Sequence, residues 1–357
     1  MMKLIAAALT LLLAAPGVSK ANPVLRLQNI YATAPYPEAH ASTIVQTTKG
    51  TIAAAWFGGE YERHPDVAIW FARMENGKWL TPVSVADGVQ VDGTHLPTWN
   101  PVLFQAPGGE LNLFYKAGPS PQTWWGMVIR SEDDGRTWSK PERLPDGILG
   151  PIKNKPVVLA DGTWLSPSSA EDREGMTGAG NAAWRLHFER SSDKGRTWSK
   201  TADVPSPIGI EAIQPSILFH KDGQLQAMAR TRQGTVAMTW SKDNGKTWSP
   251  LVASNLPNPN SGTDAVTLKD GRQLIVYNPT GHFPDQPGKG PRYPISIALS
   301  DDGVTWRDVL TLEAASLKSG YAYPAVIQTS DGLVHITYTW DRKRIRHVVI
   351  DPAKLEK

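Results

Sequence analysis

The sequence predicts an all-β fold, a six-bladed β-propeller of four-stranded antiparallel blades, and two independent periodic signals carry the prediction. The first is a short phrase of polar residues, Gly, a basic or aliphatic residue and Trp. It is nearly identical at 131–138, 191–198 and 241–248. A fourth copy at 299–306 differs in its first slot and aligns Asp301 with Asp133, Asp193 and Asp243, and a worn fifth occupies 74–79. Recurrence every 50 to 60 residues or so means that one supersecondary unit has been reused. The second signal is a set of turn pairs between apolar runs: Lys49-Gly50, Gly108-Gly109, Asp161-Gly162, Asp222-Gly223, Asp270-Gly271 and Asp331-Gly332. Such pairs mark hairpins because the tight turn needs positive φ.

Each of the first five hairpins is followed by the Gly of one phrase. The unit therefore reads strand A, tight turn, strand B, long loop, strand C, phrase, strand D. Six units share residues 22–357 at about 56 residues each, as propeller blades do. The sixth has no phrase after His347, so its outermost strand is expected from residues 24–30, closing the ring. Within the phrase, Asp or Asn can bond backbone amides, Gly can take positive φ and Trp can pack between blades. The spacing lacks the ligand ladder of a calcium loop, and the phrase reads as structural.

Lys3 is followed by an apolar run, 4–18, and then Ser19-Lys20-Ala21. This is the pattern of a secretory signal, with cleavage expected after Ala21 and a single propeller domain over 22–357. The chain has no cysteine, which excludes disulfides, a thiolate nucleophile and thiolate metal sites. These features point to a secreted or periplasmic protein without a membrane span. Without the two leader lysines the formal charge falls from +3 to about +1, giving no electrostatic pull toward nucleic acid. No cofactor or metal is signalled, and a monomer is expected.

Antiparallel strands put the A–B turns and the phrases at one end of each blade. The B–C loops and D–A crossings then surround the channel mouth at the other end, where function on a rigid scaffold concentrates. The A starts carry His40, Asn100, Lys153, Lys155, Glu211, Gln214, Asp264 and Tyr323. The B ends carry Glu60, Lys116, Glu171, Arg230, Arg232, Asn278 and Arg342. The cations Lys116, Lys153, Lys155, Arg230, Arg232, Arg292 and Arg342 suggest an anionic ligand, since guanidinium groups match carboxylates bidentately. Rim tryptophans suggest a sugar ring, and an acidic glycan satisfies both.

With the phrases around Asp133, Asp193, Asp243 and Asp301, the chain resembles the BNR/Asp-box sialidase (neuraminidase) superfamily over essentially all of 22–357. Segments 56–60, 100–104, 154–156 and 320–324 resemble a bacterial sialidase-like branch. The resemblance implies three arginines on a substrate carboxylate, an Asp as acid/base and a Tyr nucleophile assisted by a Glu. This is an exception to the two-carboxylate rule for glycosidases. By blade position it implies Arg230 and Arg292 as two of the arginines, Tyr323 as the nucleophile and Asp66 as the acid/base residue. Two positions depart: His40 stands for the first arginine and Gln214 for the activating Glu. A neutral amide cannot take a proton from a phenol. Glu60, Arg63, Glu171, Glu211 and His40 are the available substitutes.

Three readings stay open. The leading one is an exo-acting glycoside hydrolase of sialidase type that releases a terminal acidic sugar. The others are a lyase or hydrolase acting on a uronic-acid polysaccharide, and a glycan-binding propeller without catalysis.

Overall fold

Six antiparallel sheets succeed one another along the chain. The structure, a computed structural model, describes residues 22–172 and 183–355; the leader expected at 1–21 lies outside the described residues. The inner strands of blades I to VI are Glu38–Gln46, Thr98–Gln105, Val157–Val158, Ala212–Phe219, Asp264–Thr267 and Tyr321–Gln328. Inner strands touch between blades I and II, IV and V, V and VI, and VI and I, and the second strand of blade III touches the inner strand of blade IV. Contacts of Glu38–Gln46 with both Thr98–Gln105 and Tyr321–Gln328 close the circle. This is the six-bladed propeller that the two periodic signals predict.

Second strands lie between neighbouring blades and are buried on both faces, as in Ile52–Gly59. A strand so placed reads as a near-continuous apolar run, and here Ala53, Ala54 and Ala55 keep it thin. Blade VI is completed from the other end of the chain. Val24–Asn29 pairs antiparallel with Arg344–Ile350, placing Gln28 opposite His347. Blade I is less regular, because its third strand Ala68–Glu75 takes two short outer partners, Lys78–Trp79 and Val83–Ala86.

The three nearly identical phrases fold as closed hydrogen-bonded turns. The Ser131 hydroxyl donates to Asp133 Oδ1 at 2.8 Å and accepts the Gly135 amide at 2.8 Å. Asp133 also accepts the Thr137 amide and hydroxyl, at 2.8 and 2.7 Å. The same bonds recur around Asp193 and Asp243. The phrase Trp then packs on the preceding blade: Trp138 edge-on to Phe71 at 5.2 Å and Trp248 stacked on Phe188 at 3.9 Å.

The fourth phrase corrects the alignment. Ser300 donates to Asp302, and Asp302 accepts the Val304 and Thr305 amides. Asp301 instead lies beside Arg307 at 3.6 Å, with its side chain largely exposed. The physical reason is a turn one residue shorter. Asp134-Gly135 and its two counterparts place two residues at positive φ, whereas Gly303 serves alone.

Toward the opposite face, inner strands of blades I, II, IV and VI share one irregularity. Their pairing register slips between His40 and Thr43, Trp99 and Val102, Ile213 and Ser216, and Ala322 and Ala325. Each bulge holds a non-glycine residue at positive φ: Ala41, Asn100, Gln214 and Tyr323. Bulges re-aim side chains, and these four ring the upper channel.

Candidate functional site

The bulges of blades IV and VI bring two distant residues together. The Tyr323 hydroxyl oxygen accepts the Gln214 amide at 3.1 Å and Arg230 Nη1 at 3.0 Å. Arg230 extends from strand Leu225–Thr231 and is fixed by Nε donating to Asn260 Oδ1 at 2.7 Å. Its guanidinium carbon also lies 5.2 Å from the Trp184 ring. No described carboxylate pairs with Arg230 or Arg292, although both line the same cavity of about 720 Å3. Burial first, and then the Arg230 charge, push the half-buried Arg292 guanidinium below its ordinary value. A guanidinium stays charged under such pressure, so the cavity keeps a surplus of positive charge: Arg230, Arg232, Lys289 and Arg292 line it, with Glu211 as its one described carboxylate.

His40 is buried against the Tyr323 ring, with centroids 4.3 Å apart, and its Nδ1 lies 3.1 Å from the Thr339 hydroxyl. Burial pushes its pKa well down, helped by the charges of Arg342, Arg292, Arg230 and Lys153. The ring is neutral and presents no cation to a ligand.

Of the collected cations, Arg342 lies outside that cavity's lining, and the three lysines are turned into the ring. Lys153 starts in blade III and donates to the Thr263 carbonyl of blade V at 2.6 Å and the Pro324 carbonyl of blade VI at 2.7 Å. Blades III and VI are opposite, so the side chain crosses the axis beneath Tyr323. Burial pushes it down to about 7 while Asp264 pulls upward. Its third hydrogen bond, to Asn154 Oδ1 at 2.8 Å, completes the donor set of an ammonium group. Lys155 is paired with buried Asp264 at 2.7 Å. Lys116, completely buried, donates to the Pro151 carbonyl at 2.8 Å. These lysines brace the channel wall. Below the Lys153 strap, inner strands of all six blades line a second cavity of about 390 Å3.

The carboxylates lie around the mouth. Asp66 is half-exposed, 2.6 Å from His64 Nδ1, and accepts the Glu60 amide at 3.1 Å. No contact joins Asp66 or Glu60 to Tyr323 among the described residues. Glu171 Oε2 accepts the Trp184 indole N–H at 3.1 Å. Burial pushes its carboxyl up, against the pull of Arg230, Trp184, Arg232 and Arg63. Arg63 thus lies within electrostatic reach of Glu171, with φ of +85° in the mouth loop. Glu211 pairs with Arg232 at 2.8 Å, and Arg232 stacks over Trp184 at 3.9 Å. Trp184, Asn260 and His64 are the neighbours that the motif reading missed. Trp184 begins a third strand at the mouth, which is the one signal that could have marked it.

A six-bladed propeller with a tyrosine and unpaired arginines at the funnel mouth belongs in class with the sialidase-like propellers. Residues 50–336 match the model of the BNR repeat-like domain, and the chain is a member of that family. Similar proteins include a sialidase of Bacteroides fragilis, 27% identical over 199 residues, which are 50% of this chain and 33% of that protein. An anhydrosialidase of Macrobdella decora is 25% identical over 284 residues, 69% of this chain and 34% of that protein. The chain thus spans about a third of the length of these two relatives. The solved structure of the intramolecular trans-sialidase of Ruminococcus gnavus has a TM-score of 0.72 at 14% identity, covering 94% of this chain and 99% of that one. At that identity the likeness concerns the fold.

Proposed function

We propose that the chain is an exo-acting glycoside hydrolase of sialidase type that releases a terminal acidic sugar. One observation carries the reading: Arg230, with no carboxylate partner among the described residues, converges with Gln214 on the Tyr323 hydroxyl beside an Arg292 that also has none among them. A substrate carboxylate supplies the missing counter-charge. It draws Arg230 onto itself and frees a lone pair of the Tyr323 oxygen to face the anomeric carbon. Asp66 gives its proton to the leaving oxygen, Tyr323 stabilises the developing positive charge, and water adds to the anomeric carbon and returns a proton to Asp66. Tyr323 keeps its own proton in this scheme, because the Gln214 amide cannot accept it. The leader at 1–21 supports export, so that the enzyme meets its glycans outside the cytoplasm. A monomeric enzyme needs no partner beyond the glycan.

Gln214 also favours a second reading, a propeller that binds acidic glycans without turning them over. Incubating the protein with sialosides and uronic-acid oligosaccharides, with mass analysis of products, separates the readings. Released acidic sugar, lost in Asp66→Asn and Arg230→Ala, supports hydrolysis. Saturable binding without product supports the second reading, and an ultraviolet-absorbing unsaturated product would indicate elimination.

A further inference from the structure

Blade VI turns from its second to its third strand through 340–343, with the Lys343 amide donating to the Trp340 carbonyl at 3.0 Å. The two central residues, Asp341 and Arg342, have φ of +49° and +58°. Turns of this hand select Gly, because an L side chain at positive φ is crowded. Among the described residues this is the one place where two consecutive non-glycine residues both take positive φ. Backbone strain of this kind is concentrated where a side chain is used.

The turn is anchored to both sides of the site. Its Arg342 carbonyl accepts the amide of Ala39, next to His40, at 2.7 Å, and its Asp341 amide donates to Gly320 at 2.9 Å. Gly320 in turn lies so close to Arg292 that an added Cβ would meet Arg292 Cβ at 2.8 Å. Arg342 therefore emerges between His40 and Arg292, and its charge is the largest of those pressing on the His40 ring. Among the described residues it has, unlike Arg230 and Arg292, a carboxylate partner: Nη1 lies 2.7 Å from Glu62 Oε2. Glu62 belongs to the same mouth loop as Asp66.

We propose that Glu62 is a resident stand-in for the ligand carboxylate, seated on Arg342 and displaced when an acidic sugar binds. Arg342 then grips the ligand in the place that His40 leaves without a cation, and the loop carrying Asp66 shifts with each binding event. This rests on the acidic-glycan reading of the site.

Calorimetry with N-acetylneuraminate, glucuronate and galacturonate on the full chain tests it, with Arg230→Ala as the reference. Arg342→Gly, which relieves the turn, is expected to hold or raise Tm yet weaken binding about tenfold or more. Glu62→Gln is expected to tighten binding about threefold or more in the native background and to change nothing beside Arg342→Gly. Hydrogen exchange over 60–66 should respond to ligand in the native protein and not in Arg342→Gly. Arg342→Asn, also tolerant of positive φ, repeats the measurement if glycine loosens the turn. Equal tightening by Glu62→Gln in both backgrounds overturns the displacement, as does an affinity indifferent to both residues while Arg230→Ala abolishes binding. If the native protein binds none of the three sugars, the functional reading fails and the inference goes with it.

Discussion

On the box face, Asp133, Asp193 and Asp243 each gather hydrogen bonds from Ser and Thr within one turn. On the funnel face, Arg230 and Arg292 line a cavity whose one described carboxylate, Glu211, is paired with Arg232 instead. The first arrangement is repeated with little change; the second occurs once, with a different residue at each of the four bulges. Saturated polar groups serve a turn that any blade can reuse. Unsaturated ones keep their electrostatic attraction for something that arrives later.

Substitutions should therefore separate cleanly, with activity lost on one face and stability on the other. The largest effect is expected from Tyr323→Phe, which lowers kcat by about a thousandfold with Tm unchanged. Steady-state kinetics beside a thermal melt checks it; retained turnover would remove Tyr323 from the mechanism. Lys153→Met tests whether the axial strap belongs with the box face. It leaves the Pro324 carbonyl and the Asn154 oxygen without their donor, while the Thr263 carbonyl keeps only the Asn154 amide at 3.1 Å, at a cost of about 3 kcal/mol in denaturant unfolding. An unchanged midpoint would mean that the channel is held without it.

Acid should separate the seam of the ring from the boxes. At the seam, His347 Nδ1 accepts the Trp79 indole N–H at 3.2 Å, so its Nε2 carries the proton and faces His335 Nδ1 at 3.0 Å. Burial, followed by the His335 and Arg26 charges, pushes His347 down to about 3. Burial also lowers His335, against the opposing pull of Asp331. The unfolded chain takes up protons below about 6.5 while the folded seam refuses them. Stability should then fall as pH drops from about 6.5 toward 3, by about 1.4 kcal/mol per unit for His347 alone. Thr197 hydrogen bonds hold the Asp193 carboxyl down at about 2, so the boxes lose their contribution only as pH falls from about 4 toward 2. Denaturant melts of native protein and His347→Gln across this range should show the slope above pH 4 flattened in the variant. The smallest effect distinguishes neighbours: Asp302→Ala should lower Tm by a few degrees, and Asp301→Ala should leave it within about a degree. Reversed results would restore the longer alignment of the fourth phrase.

The blade count was legible because turn chemistry is local: Asp331-Gly332 or Ser241 with Asp243 fixes its geometry within a few residues. The same locality explains the slip at Asp301, since one deleted turn residue leaves Gly, Thr and Trp in register while moving the acid. At the funnel, Tyr323, Gln214, His40 and Arg230 could be found by blade position, because strand starts map onto the channel mouth. Lys116, Lys153 and Lys155 start there too, yet their long side chains end on carbonyls or on Asp264 in other blades. Nothing within their own blades reveals that. Arg342 and Glu62, far apart in sequence, meet only because the ring closes.

That closure also sets an order of events. Gln28 and His347 are separated by 319 positions, so Val24–Asn29, synthesised ahead of the propeller's other described strands, is the last that can be seated. Contacts this distant form slowly, because a long loop must close before they reward the chain. Until Arg344–Ile350 emerges, blade VI presents an unpaired edge, the kind of edge on which β-chains aggregate. The seam thus makes the pairing of Val24–Asn29 with Arg344–Ile350 a checkpoint: five blades can be complete and the ring still open.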